Sequence, residues 1–302
     1  MEIFKKVTNI NFVGSMKLNF TLSIITIIIS IASVIWHGGL NYGIDFAGGT
    51  LVQVKFQQAT TTEKLRKTLD AIKLGGSTIQ QFSPQEFVIR TAESSTDLKG
   101  LSAHIEENLT STYGKGSFEV RRVEVVGPKV GKDLTNKAIL AVVFSWLAML
   151  FYIAWRFEFR YGVGGIVALI HDVIICIGAL SIFNKEFSLT IVAALLTIIG
   201  YSINDTIVVC DRIRENVRKS SKKDLGEIIN ASINETLSRT ILSSLTVFIV
   251  VVVLFFLGGE VIHDFAFILL IGVFVGTYSS IFIATPIVLV WEKISPSKMR
   301  RK

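Results

Sequence analysis

Residues 188–209, SLTIVAALLTIIGYSINDTIVV, decide the fold, because they form a membrane-spanning pattern that contains an acid, Asp205. An ionised aspartate near the centre of a span costs about 2.5–3.5 kcal/mol on insertion scales, whereas each Leu, Ile or Val favours insertion by roughly 0.3–0.6 kcal/mol. The surrounding apolar residues offset that cost, so the helix should insert. Because acids are rare within spans, we predict that Asp205 handles ions or protons. A hydrogen-bonding anchor between helices is the alternative.

Composition indicates an integral membrane protein. Half of the residues are hydrophobic, only 18% are charged, and the mean hydropathy is +0.55, as expected for a chain that lies largely in lipid. Six apolar runs are long enough to cross a bilayer of about 30 Å. They cover residues 18–36, 138–155, 162–183, 187–209, 241–257 and 265–291. The first run is longer than a typical signal-peptide core, so we interpret it as a retained anchor.

The distribution of Lys and Arg predicts the orientation of these spans. With the amino terminus inside, the two short outer loops carry only Lys185. The inner segments carry Lys5, Lys6, Lys17, Arg156, Arg160, Arg212, Arg214, Arg218, Lys219, Lys222, Lys223, Arg239, Lys293, Lys298, Arg300, Arg301 and Lys302. Basic loops stay in the cytoplasm, so both termini should be cytoplasmic. Membrane lipids with anionic headgroups account for the net charge of +7, and no nucleic-acid partner is expected.

The chain divides into three predicted segments. Residues 1–36 hold the cytoplasmic amino terminus and the first span, residues 37–137 form a head domain outside the cytoplasm, and residues 138–302 hold the other five spans. In the head, strands are predicted at 50–56, 78–82, 87–91 and 117–126, and helices at 62–72 and 96–113. The order βαββαβ is that of the ferredoxin-like split βαβ unit. The predicted fold is thus a polytopic α-helical membrane protein with six transmembrane helices and an α+β ferredoxin-like extracytoplasmic domain.

Two further features bear on function. The head carries no catalytic dyad, phosphate loop or His/Cys cluster, which favours a binding or lever module and not an enzyme. Residues 221–238 alternate apolar and polar side chains at helical spacing. They predict a cytoplasmic amphipathic helix that lies on the inner membrane surface and leads into the fifth span.

Polar residues on the fourth and fifth spans predict a proton relay. Its members are Ser202, Asn204 and Asp205 on the fourth span and Arg239, Ser243 and Thr246 on the fifth. Antiparallel packing would bring Asp205 and Arg239 to a similar depth. Burial favours a neutral carboxyl and a nearby guanidinium favours a charged one, so an acid balanced between them can load and release protons. The alternative is a fixed Asp–Arg pair whose neighbouring hydroxyls bond carbonyls of their own helices.

A second acid, Asp172, follows His171 midway along the third span. Adjacent helical residues point about 100° apart, so these two should not serve one partner equally. Asp172 either lines the same polar interior, as a secondary intramembrane acid, or satisfies a neighbouring helix. One His and one Asp make a poor metal site, so we expect neither a metal nor another cofactor.

Four motifs in order carry a family resemblance. They are GIDFAGGT at 43–50, VGPKVGKDL at 126–134, GYSINDTIVVCDRIRE at 200–215 and NETLSRT at 234–240. With six spans and one outer domain, the chain resembles the SecF subunits of the SecD–SecF protein-export family, within the resistance-nodulation-division (RND) superfamily. The resemblance covers nearly the whole chain.

The resemblance implies one half of an RND-type membrane domain in a bacterial inner membrane, with residues 37–137 periplasmic. It implies an accessory subunit of the Sec machinery that uses the proton-motive force to assist preprotein translocation, with Asp205 and Arg239 as its proton-conducting pair. The implied partners are a SecD-type subunit, the Sec translocon channel and unfolded preprotein. The head would connect to the membrane through hinge motifs that contain Gly43, Asp45, Phe46, Gly48, Gly49, Gly127 and Gly131.

Three other classes remain open at this stage. Two intramembrane acids, Asp172 and Asp205, are compatible with an aspartyl protease, although the chain has no Gly-x-Gly-Asp element. A proton-driven RND exporter would normally have about twelve spans and two outer domains. A purely structural translocon subunit would not need the acid to titrate.

Overall fold

The computed structural model describes residues 7–91, 98–219 and 224–294. Its elements are α1 Phe12–Trp36, β1 Asn41–Tyr42, α2 Ile44–Ala47, β2 Gly49–Phe56, α3 Thr62–Asp70, β3 Thr78–Ser83, β4 Glu86–Thr91, α4 Leu98–Tyr113, β5 Phe118–Val126, α5 Pro128–Arg156, α6 Phe159–Ile182, β6 Glu186–Phe187, α7 Leu189–Lys219, α8 Leu225–Leu257, α9 Glu260–Ser279, a π-helical segment Ser280–Ala284 and α10 Thr285–Ile294.

Six stretches of helix are long and apolar enough to cross a membrane, one for each predicted span. The last of them combines α9, the π-helical segment and α10. Several helices extend beyond the predicted spans, because helical hydrogen bonding continues past the end of an apolar run. For example, α5 begins at Pro128, where proline suits a first helical position, and α7 continues to Lys219. The predicted fold class is confirmed.

The chain separates into two compact units, one made of residues 42–139 and the other of residues 1–41 and 140–302. The first unit contains an antiparallel four-stranded sheet in the order β3-β4-β2-β5. One face packs against α3 and α4 around Val54, Phe87, Leu65 and Ile105, all fully buried. This is the βαββαβ arrangement that the sequence predicts. Thr96, the predicted start of α4, lies outside the described residues.

The interior of the second unit is formed by α6, α7 and the last span. More than half of the apolar window of each of these helices is buried, compared with about a tenth or less for α1, α5 and α8. Glycines bring α7 and α9 close together, since a Cβ at Gly272 would lie 2.2 Å from Ile198 and one at Gly276 would lie 2.9 Å from Ser202. Small residues at a helix contact are the usual means of close packing in membranes.

The amphipathic segment differs from the prediction. Within the described residues it begins at Leu225, capped by Asp224, and continues without a break into the fifth span as α8. Its apolar face is not free for lipid, because Ile228, Ile229 and Ile233 are buried in the same cluster as Val217 of α7. The interpretation as a helix lying on the membrane surface is therefore wrong. The apolar side chains of this segment pack against protein, because α7 extends alongside it as far as Lys219.

Candidate functional site

Asp205 lies where α7, α8 and α9 meet. Its side chain is almost fully buried, with 2% exposure. Ser243 and Ser244 of α8 donate to its two carboxylate oxygens, each over 3.4 Å. Both distances lie beyond the usual range of an O–H···O hydrogen bond, so these contacts are weak. Asp205 is a buried carboxylate that its neighbours hold loosely.

The two serines also have shorter hydrogen bonds elsewhere. The Ser243 hydroxyl donates to the carbonyl of Thr240 over 3.0 Å, and the Ser244 hydroxyl shares a 2.7 Å bond with Thr277 of α9. A hydroxyl has one proton to donate, so these partners compete with Asp205. The carboxylate therefore sits beside donors that can turn towards it or away from it.

Ser244 and Thr277 are site residues that sequence reasoning missed. Ser244 follows Ser243 directly, but only the packing of α8 against α9 shows that its side chain reaches the acid. Tyr201, which helical spacing places on the same face as Asp205, also lies in this site, because its hydroxyl is near Ser244 and Thr277 without an aligned hydrogen bond. Together these residues form a small polar pocket around one carboxylate.

Only part of the predicted relay comes together. Asn204 and Thr246 are exposed on the outside of their helices: Asn204 lies about 100° round α7 from Asp205, and Thr246 lies about 60° from Ser243 and about 160° from Ser244 on α8. Arg239 is also exposed and forms no ion pair with Asp205, although the two still interact electrostatically. The alternative of a fixed Asp–Arg pair is therefore not what the structure shows. Ser243 alone of the predicted fifth-span residues contacts the acid.

Ser202 bonds Asp172 and not Asp205. Its hydroxyl donates to Asp172 over 2.6 Å, and Ser279 of α9 donates to the same oxygen over 2.9 Å. His171 shares a 2.9 Å contact with the second oxygen through Nδ1. His171 and Asp172 contact each other, and the two serines donate to Asp172 and not to His171. Asp172 is fully buried and joins α6, α7 and α9.

Of the two interpretations of Asp172, the geometry favours the one that satisfies neighbouring helices. Its carboxylate accepts short bonds from three groups, whereas Asp205 has only two long ones. Ser279 stands immediately before the π-helical segment Ser280–Ala284. A π-helical turn is a local departure from α-helical hydrogen bonding, and such turns are often found at functional sites. Asp172 therefore fixes the helix packing at the start of this turn.

The glycine motifs form a packed elbow within the head unit. Gly48 and Gly49 have φ angles of 75° and 123°, which strain any residue with a side chain. Gly131 allows the first turn of α5 to approach the backbone of α2 closely, since a Cβ at Gly131 would lie 2.7 Å from the Phe46 carbonyl oxygen. Phe46 itself is buried and contacts Tyr42 edge-on. Gly43 immediately precedes the short helix α2, Asp45 lies within α2, and Gly127 immediately precedes α5.

No group of three or more His, Cys, Asp or Glu side chains is gathered for a metal among the residues that the structure describes. The chemistry of the site is thus that of carboxylates, hydroxyls and one imidazole within the membrane-spanning unit. The fold and site define a class: polytopic membrane proteins that bury titratable groups between their spans and carry a ferredoxin-like domain after the first span.

Comparison with known proteins specifies the family. Residues 105–294 match the family model for the carboxy-terminal part of protein export membrane proteins SecD/SecF, and residues 33–60 match the SecD/SecF GG motif. A protein translocase subunit SecF from Calditerrivibrio nitroreducens is 48% identical over 95% of this chain and 96% of its own length. One from Magnetococcus marinus is 45% identical over 99% and 97%, respectively. This chain belongs to the SecD/SecF family.

Solved structures agree with that assignment. A crystal structure of SecDF from Thermus thermophilus, described as a translocon-associated membrane protein, has a TM-score of 0.87 at 37% identity and covers 96% of this chain. A SecDF structure in the super-membrane-facing form gives 0.71 at 36% identity, with 97% coverage. In both cases this chain spans 40% of the length of the solved chain.

The difference between the two acids makes a prediction about stability. Asp172→Ala would remove the acid partner of buried His171 and Ser202 and the shorter of the two bonds of Ser279, and a buried group left unsatisfied costs about 1–3 kcal/mol. We expect it to lower the free energy of unfolding by about 3 kcal/mol or more, measured by thermal or denaturant unfolding in mild detergent. Asp205→Ala, the matched control, removes only two long contacts and should cost much less. An Asp205→Ala variant that is as unstable as Asp172→Ala would contradict this assignment.

Proposed function

We propose that this chain is an accessory subunit of the Sec protein-export machinery and that it uses the proton-motive force, through Asp205, to assist translocation of preproteins. Family membership supports the first part. The observation that carries the second part is a fully enclosed carboxylate whose donors have other, shorter partners. Such an acid can change its charge without leaving strong hydrogen bonds broken.

The energy available is sufficient. One proton that crosses a potential of ~150 mV releases about 3.5 kcal/mol, which biases a two-state equilibrium by a few hundredfold. Protonation would remove the charge of Asp205 and release Ser243 and Ser244 to their shorter bonds. The packing of α7 against α8 would then change. Arg239, exposed on α8, supplies the positive charge that favours the ionised state.

A SecD-type subunit is the proposed partner. The exposed face of α7 carries small and polar residues: Ala193, Thr197, Gly200, Asn204 and Asp211. Such residues are poor surfaces for lipid but good surfaces for close packing against another helix. The solved SecDF chains are more than twice as long as this chain, which leaves room for a second half. We infer that α7 faces that half.

The remaining assignments follow the family. We infer an inner-membrane location with both termini cytoplasmic and the head in the periplasm, contact with the Sec translocon channel, and no enzymatic activity. The glycine elbow between the head and α5 suits a lever that turns as a block. The head would hold unfolded preprotein on the periplasmic side, and membrane lipids would surround the outer faces of α1, α5 and α8.

The other classes fit the geometry less well. An aspartyl protease needs two carboxylates that share one site, but Asp172 and Asp205 have separate sets of hydroxyl donors. A complete RND exporter would need a second half of similar size. A purely structural subunit is the remaining alternative, and it differs from the proposal in one measurable respect, the need for a titratable group at Asp205.

Asp205→Asn should abolish the stimulation of export that depends on the proton gradient. The change keeps the shape of the side chain and removes its titratable charge. Precursor maturation in cells, with and without a protonophore, measures the effect. Arg239→Ala should be nearly as damaging, and Arg239→Lys should be milder because the charge remains.

Normal membrane levels of each variant serve as the control for that measurement. If Asp205→Asn retains full uncoupler-sensitive stimulation, the acid is structural and the proton role is wrong.

Gly200→Leu should weaken assembly with the SecD-type subunit, because a Cβ at Gly200 has nothing within 4 Å in this chain and would project from the exposed face. Co-purification from mild detergent measures the loss. Val253→Leu, on the exposed face of α8, is the control and should leave recovery of the partner unchanged. Equal recovery with both variants would show that α7 does not face the partner.

Photo-crosslinkers placed at exposed positions of the head should capture an export substrate that is stalled during translocation. We expect adducts from residues in 50–91 and 104–126, and none from a crosslinker at Lys219 of the cytoplasmic extension. The absence of adducts from every exposed position of the head would eliminate it as a preprotein-binding module.

A further inference from the structure

We propose that Asn230 and Asn234 are positioning residues that clamp the amino-terminal segment, residues 8–13, to α8, so that α1 and α8 move together when the state of Asp205 changes. The proposal rests on the proposed function and extends it to the NETLSRT motif. In the structure, that motif contributes no contact to Asp205, although α8 carries both serines that do.

Asn234 makes three of its four hydrogen bonds to the amino-terminal segment. Its carbonyl oxygen accepts from the Ile10 backbone N–H over 2.8 Å and from the Thr8 hydroxyl over 2.7 Å. Its amide nitrogen donates to the Ile10 carbonyl over 2.9 Å and to the Asn230 carbonyl over 2.8 Å. A carboxamide has two donors and two acceptor positions, and all four are satisfied. Asn234 thus pairs with both backbone groups of Ile10, as a neighbouring strand would.

Asn230 repeats the contact one helical turn earlier. Its amide donates to the Ile10 carbonyl over 3.1 Å, and its oxygen accepts from the Val13 backbone N–H over 3.2 Å. The segment then turns into α1, which Asn11 caps through the Gly14 N–H. The next apolar side chain, Phe12, is buried in the central cluster with Ile228. Two asparagines on one helix face therefore hold the segment before α1 and its first turn by backbone groups.

The clamp joins α8, which carries the serines beside Asp205, to the start of α1. α8 is one uninterrupted helix from Leu225 to Leu257, so Asn234 and Ser243 belong to the same rigid element. α1 runs from Phe12 to Trp36, and the chain then enters the head. Near its carboxyl end α1 packs on α6, where Ser30 lies against Gly178 and Ser33 bonds Ser181. The clamp connects the helix that senses Asp205 to the helix that leads to the head.

A merely structural role would also explain the hydrogen bonds, so the test must restore the link by different chemistry. The Thr8 hydroxyl and the Asn234 side-chain oxygen lie 2.7 Å apart, so Thr8→Cys and Asn234→Cys would place two thiols on facing side chains that a disulfide or a short bifunctional thiol reagent can link. In a Cys176→Ala, Cys210→Ala background, a cysteine pair with Asn230→Ala lacks every side-chain bond of the clamp when it is reduced. When it is oxidised, one covalent bond replaces them.

We expect Asn230→Ala/Asn234→Ala to lower uncoupler-sensitive export stimulation about tenfold, since several hydrogen bonds are lost together, with normal membrane levels and normal recovery of the SecD-type partner. The reduced cysteine variant should behave in the same way, and oxidation should restore stimulation. Asn19→Ala is the matched control, because the Asn19 amide bonds only a carbonyl of its own helix, that of Ser15, and should have no effect.

Two results would overturn the proposal: full stimulation in the double alanine variant, or a covalent link between the two cysteines that forms without restoring stimulation. Asp205→Asn, measured in parallel, separates the two hypotheses. If it leaves stimulation intact, the proposed function fails whatever the clamp variants show. If it abolishes stimulation while the clamp variants behave normally, only the clamp proposal fails.

Discussion

The burial of two carboxylates among membrane-spanning helices is the constraint on which the rest of this structure depends. Inside a bilayer a buried polar group has no water, so every donor must come from a neighbouring helix. Serines on α7, α8 and α9 donate to Asp172 and Asp205, and His171, next to Asp172 on α6, contacts the second oxygen of Asp172. The positions of these hydroxyls decide which helices pack together and at what depth. The glycines at 272 and 276 then let α7 and α9 approach closely enough for the bonds to form.

The two acids are held in opposite ways, and the difference separates anchoring from switching. Asp172 has three short contacts and ties together the helices around the π-helical turn. Asp205 has two long contacts from serines that have better partners nearby. A site that must change its charge needs such an arrangement, because strong bonds to one charge state would oppose the change. Under the proposed function, Asp172 would hold α6, α7 and α9 together while a change of charge at Asp205 alters the packing of α8.

The head and the amino terminus are each held by contacts of their own. The head has its own core of strands and two helices, and its glycine elbow is closely packed. The amino-terminal segment is bound by asparagine side chains that imitate a strand edge. A contact made to backbone groups does not depend on the side chains of the bound segment, so the sequence at Ile10 gives little sign of it.

The sequence alone determined the elements whose signal is local. Long apolar runs predict six spans, and the alternating patterns in residues 50–126 predict the βαββαβ order, because helix and strand periodicities depend on neighbouring residues. The importance of Asp205 also follows from local cost, since an acid within an apolar run is unfavourable wherever it packs. The resemblance of four motifs added the family, but not the contacts of each residue.

Only the tertiary structure decided which helix faces meet. Ser202 lies one turn from Asp205 but serves Asp172, and Ser244 and Thr277, which no spacing rule selected, surround the acid. Asn204, Thr246 and Arg239 lie on exposed faces, and residues 225–237 bury their apolar stripe against α7 and not in lipid. Helical periodicity gives the angle between two residues on one helix. The rotation and depth of each helix against its neighbours come from packing between residues far apart in the chain, and a single sequence does not contain that information in local form.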